Sequence, residues 1–532
     1  MQYGHFASVE HALATAREQI DFLERERRYA LNVCLPLERQ DYYRDCLRRL
    51  EVIGQFIRRA YQALEVISSN WQQDEAVTNR AVEILGLIVE HLPRIFHTIS
   101  ESLTQRRQLV IRTSYVGVPH YSFADVHPDY PLTIRALESI VRDFYSTFSP
   151  ILGSSGIPQP LVSMSEKTSF EYVSPGTDLG LAAAWAGGGV RSLQPADYLS
   201  LLTSGFVLSE IGAPRWTPVT MRCSPIIAHE IAHMILDMAD LLEHTLSDSG
   251  KVNGNGEEDL SRLFSRRFVE FIRVTAKIRE LFLSFMKEFE PKDEEPYITA
   301  NLRKEMRRQA YEIMADFLAL VTAGPAFLYA HVNDVILDPT WVDVSDHGFA
   351  EKYHKVIFAT GTHPPDLIRL ESLETLARQF GWNGYADFIF NSANVRSIKH
   401  SMENQISSYP TCAEQLQAYR EWLANSLGDI LSLRELLKKP LPEAQALGFY
   451  EENLLRDVSD YIITQFDKGN VFLSDYSGNS QVPISPSLLL TALWHKICHK
   501  PELPNFGIRW RQGIVYSAQQ LTQRIIQEGS HD

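Results

Sequence analysis

Pro225-Ile-Ile-Ala-His229-Glu230-Ile-Ala-His233-Met-Ile-Leu-Asp237 is the stretch on which the reading of this chain turns. Isoleucine, alanine, methionine and leucine fill nearly every position around the helix that this segment would form, while His229, His233 and Asp237 recur at every fourth residue as a polar stripe. Residues four apart stand about one turn above each other on one helix face. Both imidazoles therefore project from the same side, at a spacing that lets two histidines bind one tetrahedral metal ion. Polar groups buried among apolar ones need partners, and a metal ion supplies them. Glu230 lies on the adjoining side, where a carboxylate can take a proton from metal-activated water. Pro225 suits a first helical turn, with Ser224 as its cap. The competing reading is a plain helix with core or surface histidines, since an HExxH arises by chance in roughly a few per cent of chains this long. The apolar surround weighs against it.

Two histidines need a third ligand. The pattern HExxHxxGxxH would require glycine at 236 and histidine at 239, where this chain has Leu236 and Ala239, so that class is excluded. A glutamate on a separate helix is the alternative, and Glu305-Met-Arg-Arg-Gln-Ala-Tyr311-Glu312-Ile-Met-Ala315-Asp316 offers one. Glu312 and Asp316 are again four apart in a largely apolar helix. Glu312 is placed to bind the metal, and Asp316 to accept a hydrogen bond from a ligand imidazole and fix its tautomer. An ExxxD is common by itself; the HExxH before it makes it informative.

A third segment, Gly361-Thr362-His363-Pro364-Pro365-Asp366-Leu-Ile-Arg369, reads alone as a loop running into a proline-started helix. In sequence, HEIAH, EIMAD and THPPDLIR resemble the motifs of the glutamate-zinc (gluzincin) metallopeptidases. The likeness is closest to the Ste24/HtpX-like group, in which an HExxH helix, an ExxAD helix and an HPxxxxR segment follow in that order. It covers about residues 220–375. The resemblance implies one zinc ion held by His229, His233 and Glu312, with Glu230 as general base and Asp316 supporting a ligand. It makes His363 and Arg369 candidates for transition-state or structural roles near the cleft. Those relatives are usually membrane-embedded, whereas this sequence has no run of about 18 apolar residues, so their membrane substrates do not carry over. HEIAH and ExxADxxA also resemble the soluble ImmA/IrrE-like peptidases.

Working outward, apolar residues recur three or four apart from about Ser8 to Arg112, with breaks expected at Pro36 and Ser68–Glu75. Another helix is expected from about Leu132 to Thr147. Between Pro150 and Pro225, glycines, prolines and β-formers mix, and SMSEKTSFEYV alternates enough for a strand or hairpin. Further helices are expected from Pro225, over about Leu260–Phe289 and Ile298–Val321, from Pro365, and through most of the C-terminal part. SDSGKVNGNGEED reads as a loop, and GNVFLSDYSGNSQVPISP as a loop or short hairpin. The expected fold is mainly α with a small β element (α+β). It comprises an N-terminal helical region 1–149, a zincin-like metallopeptidase core 150–391 and a mostly helical C-terminal region 392–532.

Other candidates are weaker. Gly187–Gly189 lack the following Lys-Ser/Thr of a phosphate loop. His495, Cys498 and His499 have no recognisable second ligand pair, and His91 and His97 lack a matching spacing. Asp237 and Asp240 read as supporting or capping residues rather than ligands.

The 532 residues are 45% hydrophobic and 22% charged, ordinary for a globular protein. A net charge of −15 argues against a broad phosphate-binding surface, so no nucleic-acid partner is expected. Five scattered cysteines fit a reducing, cytoplasmic setting better than a disulfide framework. No signal-peptide pattern or membrane span is expected. The expected activity is hydrolysis of peptide bonds in a protein or peptide substrate by zinc-activated water, with Glu230 as base. His363, or alternatively Tyr311, would donate to the oxyanion, and an extended substrate would pair with an edge strand within about Leu161–Val173. The helical flanks leave room for gating by a regulatory partner or ligand. The alternative is a helical interaction protein with a purely structural zinc core.

Overall fold

The structure is a computed structural model. It describes residues 9–37, 41–70, parts of 78–100, 130–165 without 154 and 156, 170–173, 203–214, 221–252 without 222, 260–289 without 262, 296–337, 363–407, 410–439, 445–477, 481–499 and 507–529. His91, His97, Gly187–Gly189 and Thr362 lie outside these residues. The architecture is mainly α with two small sheets, in two compact units.

The first unit comprises Met1–Pro131, Gly156–Glu166 and Glu171–Ala213. Helices α1 (Val9–Cys34) and α2 (Asp41–Asn70) are joined through a 3₁₀ turn at Leu35–Leu37, where Pro36 stops the first helix. In α2 the buried residues Leu50, Ile53, Phe56, Ile57, Ala60, Leu64 and Ile67 recur at helical spacing, and this stripe packs against Ile20 and Leu23 of α1. Leu161, Val207 and Leu208 join the same core.

Three strands complete this unit: β1 (Leu161–Ser165), β2 (Glu171–Val173) and β3 (Glu210–Pro214), in the order β1-β3-β2. The segment read as a strand or hairpin forms both β1 and β2, but they pair with β3 instead of each other. Tyr172 stands opposite Ile211 in antiparallel register, and Leu161 N–H donates to the Ser209 carbonyl at 3.0 Å. Among the described residues, β1 and β2 are the outer strands of this sheet.

The second unit comprises Leu132–Ser155, Lys167–Phe170 and Pro214–Asp532. After α3 (Tyr130–Ser146) and the short α4 (Ser149–Leu152) come α5 (Ile227–Val252), α6 (Arg266–Met286) and α7 (Pro296–Ala323). Helix α5 runs to Val252, through the first part of the segment read as a loop. The central element is α7. From Gln309 to Val321 it is buried all round, as expected of a helix apolar on every face. It packs against α5, α6, α8 (Pro325–Leu337) and α9 (Asp366–Gln379).

Gly324 makes the turn from α7 into α8 at a φ of 64°, the left-handed conformation that commonly ends helices. A Cβ there would meet Leu447 at 2.8 Å. The remaining helices are α10 (Asn383–Phe390), α11 (Ala393–Ser407), α12 (Pro410–Leu436), α13 (Glu452–Asp467), α14 (Pro486–His499) and α15 (Gly507–Gly529). The expected C-terminal hairpin is present as β4 (Asp475–Ser477) paired antiparallel with β5 (Gln481–Pro483).

Candidate metal centre

Helix α5 begins through a 3₁₀ turn at Ser224–Ile226, with Pro225 in the position its fixed φ and missing N–H favour. Ser224 does not cap it: its hydroxyl donates back to the Met221 carbonyl at 2.6 Å. This turn sets His229 in the first turn of α5 and His233 one turn later. Helix α7 faces them in the opposite direction, so that Asp316 meets His229 while Glu312 meets His233. The four-residue spacings of the two motifs thus form rungs between antiparallel helices. Asp237, at the exposed end of the stripe, continues the series through its electrostatic interactions with His233 and Arg308.

Three ligand atoms converge at the middle of this ladder. His229 Nε2 and His233 Nε2 are 2.9 Å apart, and the Glu312 carboxylate oxygens stand 3.2 and 3.3 Å from them. A tetrahedral zinc site with bonds of about 2.0–2.1 Å has its ligand atoms about 3.3 Å apart. The separations of 2.9–3.3 Å are near that size, with Glu312 presenting a different oxygen to each imidazole. Among the described residues, His229, His233 and Glu312 form a group able to hold a metal ion.

The donor chemistry also fits a cation. Glu312 Oε2 is buried, and although imidazole nitrogens stand 3.1 and 3.2 Å away, none is aligned to donate a hydrogen bond to it. The two facing Nε2 atoms cannot both donate to each other, whereas both can donate lone pairs to one ion. His229 and Glu312 side chains are only 7% and 8% exposed, against 20% for His233 and 59% for His363, so the centre opens on the His233 and His363 side.

Behind the centre, His229 Nδ1 lies 2.9 Å from Asp316 Oδ1, and Asp316 receives a two-pronged hydrogen bond from Arg369 Nε and Nη2 at 2.7 and 2.6 Å. Asp316 is thus paired with Arg369, whereas the Glu312 carboxylate stands among the imidazoles of His229, His233 and His363. Burial disfavours a charged imidazole at His229, yet Asp316 and Glu312 overcome it and push the pKa up to about 10. Burial would raise the Glu312 carboxyl, but the charge of His233 and the neighbouring imidazoles hold it well below the usual carboxylate range. Asp316 is held low in the same way, chiefly by Arg369.

The sequence-derived candidates do not all occupy equal positions. His363 reaches the centre, with Nδ1 3.1 Å from Glu312 Oε2, but lies outside the three-residue ligand group. Arg369 is bound behind Asp316. Glu230 is half-buried in the first turn of α5, adjoining His229. Tyr311, the alternative oxyanion donor, is engaged elsewhere: its hydroxyl donates to Asp240 at 2.6 Å and accepts from Arg279 at 2.8 Å. Asp240 accordingly belongs to that contact. His495 lies within α14, 3.6 Å from Asp460.

Sequence reasoning missed Phe327 and His331. The Phe327 ring stacks on His229 at 6.3 Å and on His331 at 5.6 Å, shielding the inner side of the centre. His331 is buried, and its burial beside Arg369 lowers its pKa to about 3. Both residues sit on a mostly apolar helix, where nothing in the sequence marks them out. Arg279 was likewise unmarked.

No protein-family profile, curated protein or solved structure matches the chain. Among the described residues, no helix is long and apolar enough to cross a membrane.

Proposed function

We propose that the chain is a cytoplasmic zinc-dependent endopeptidase of the gluzincin type, acting on a protein or peptide substrate. The observation that carries this reading is the convergence of His229, His233 and Glu312 from two antiparallel helices, with ligand atoms close enough together to hold one cation. Two imidazoles and one carboxylate leave a fourth position open, as in catalytic rather than structural zinc sites. When bound, zinc supplies a Lewis acid that polarises a scissile carbonyl and acidifies water.

The remaining work falls to side chains. Arg369 holds Asp316, whose Oδ1 stands 2.9 Å from His229 Nδ1 and offers an acceptor that would leave Nε2 directed to the centre. Phe327 keeps water from the inner face. The Glu230 carboxylate accepts a proton from the attacking water and returns it to the leaving amine nitrogen. His363, at the solvent side, is placed to donate to the developing oxyanion.

Glu230→Gln tests the reading because it preserves the side chain's shape and removes its basicity. Zinc content and thermal stability should stay at wild-type levels while cleavage falls by about 10²–10⁴-fold. Cells expressing each protein are compared by whole-proteome N-terminal mapping under the native stimulus. Identical N-termini and an identical cellular effect would replace the peptidase with a zinc-containing scaffold.

A further inference from the structure

Arg279 stands on α6, outside both ligand-bearing helices, yet its buried guanidinium joins them. Nη1 donates to Asp240 of α5 and, at 2.8 Å, to the Tyr311 hydroxyl of α7. Nη2 donates to Glu243 of α5 at 2.9 Å and to Glu280 at 3.2 Å. The circuit closes between Tyr311 and Asp240 at 2.6 Å. The Arg279 side chain is 5% exposed. Tyr311 directly precedes the ligand Glu312, while Asp240 follows the ligand His233 by two helical turns.

We infer that Arg279 is a positioning residue that fixes the axial register of α5 against α7, and thereby sets the affinity of the centre for its metal ion. This rests on the metal-site reading proposed above. The requirement follows from helix geometry. A slip of one residue along a helix axis moves a ligand by about 1.5 Å, whereas coordination distances tolerate only about 0.2 Å. Apolar contacts between α5, α6 and α7 hold the helices together and contribute to their axial position through close packing. Hydrogen bonds of fixed length from one rigid, planar guanidinium to both helices define it closely. Burying charges is also an inefficient way to gain stability, since a well-packed apolar replacement is often as stable. The geometric constraint is what such a replacement would lack.

The test uses the full chain as wild type, Arg279→Met, Arg279→Lys and Tyr311→Phe. Zinc affinity is read by competition with a chromogenic chelator, ligand geometry by the visible spectrum of the cobalt(II)-substituted protein, and fold by urea unfolding without metal. Arg279→Met should remain folded, bind zinc about tenfold more weakly, near the lower end for loss of an outer partner, and show an altered cobalt spectrum. Arg279→Lys should recover part of the affinity, and Tyr311→Phe should lose several-fold. Wild-type zinc affinity and an unchanged cobalt spectrum in both Arg279→Met and Tyr311→Phe would overturn the inference, whatever happens to stability. If Arg279→Met does not fold, Tyr311→Phe decides, because it removes a single oxygen. Failure of the wild type to bind zinc or cobalt would defeat the metal-site reading itself. That result is distinguishable from unaltered binding in the variants.

Discussion

Replacing Asp316 by alanine removes two contacts with opposite neighbours, and their consequences separate experimentally. On one side Asp316 holds Arg369 through bonds of 2.7 and 2.6 Å; on the other it stands 2.9 Å from His229 Nδ1. The two side chains of the ion pair are 2% and 11% exposed, so water cannot readily replace the lost partner. Breaking a buried pair from one side typically costs about 3–5 kcal/mol, much of it from the charge left behind. The metal-free protein should therefore lose stability of that order in urea unfolding. Zinc affinity should fall separately by about 10–100-fold, because the His229 ring loses the group that orients it. Arg369→Met in the same chain removes the stranded charge. The double variant should regain most of the stability but none of the zinc affinity. Since Asp316 is held below its ordinary pKa, its stabilising contribution is full above about pH 4, and falls as pH drops toward its depressed native value. Zinc affinity equal to wild type in both variants, measured by chelator competition, would show that Asp316 has no part in the metal centre. Undiminished stability in Asp316→Ala would refute the argument from the unpaired guanidinium.

Four further outcomes are expected. Metal analysis should find one zinc per chain, and His233→Ala should lose most of it; full occupancy would place the metal elsewhere. Because the His229 pKa is pushed up to about 10, the metal-free centre holds a proton at pH 7 that zinc must displace. Calorimetry in buffers of different ionisation enthalpy should report proton release on zinc binding at pH 7, and apparent affinity should rise with pH. No dependence on buffer or pH would contradict this. In the metal-free chain, the stabilisation from protonated His229 is fully present below about pH 6.5 and is lost as pH rises through about 10. Gly324→Ala should cost about 1–2 kcal/mol for the left-handed backbone alone, plus the displacement of Leu447, and an unchanged urea midpoint would refute the assigned turn.

Much of the local structure was legible in the sequence because it depends on periodicity. The four-residue intervals of His229–His233 and Glu312–Asp316 put each pair on one helix face whatever surrounds the helices, and Pro36 and the 475–483 stretch identify a break and a hairpin through local turn chemistry. The same intervals narrowed the third ligand to a separate helix, since position 239 is alanine. Tertiary structure decided what spacing could not. It set the antiparallel facing of α5 and α7, which places Glu312 with both Nε2 atoms and Asp316 behind His229. It also sent Tyr311 toward Arg279 and Asp240, although Tyr311 and Glu312 are neighbours in sequence, because successive residues on a helix face different directions. In the sheet, β3 separates β1 from β2, a pairing that local alternation cannot encode. Phe327, His331 and Arg279 entered the account only through packing. A side chain on an apolar or charged helix carries no mark of its neighbour until the fold brings together residues distant along the chain.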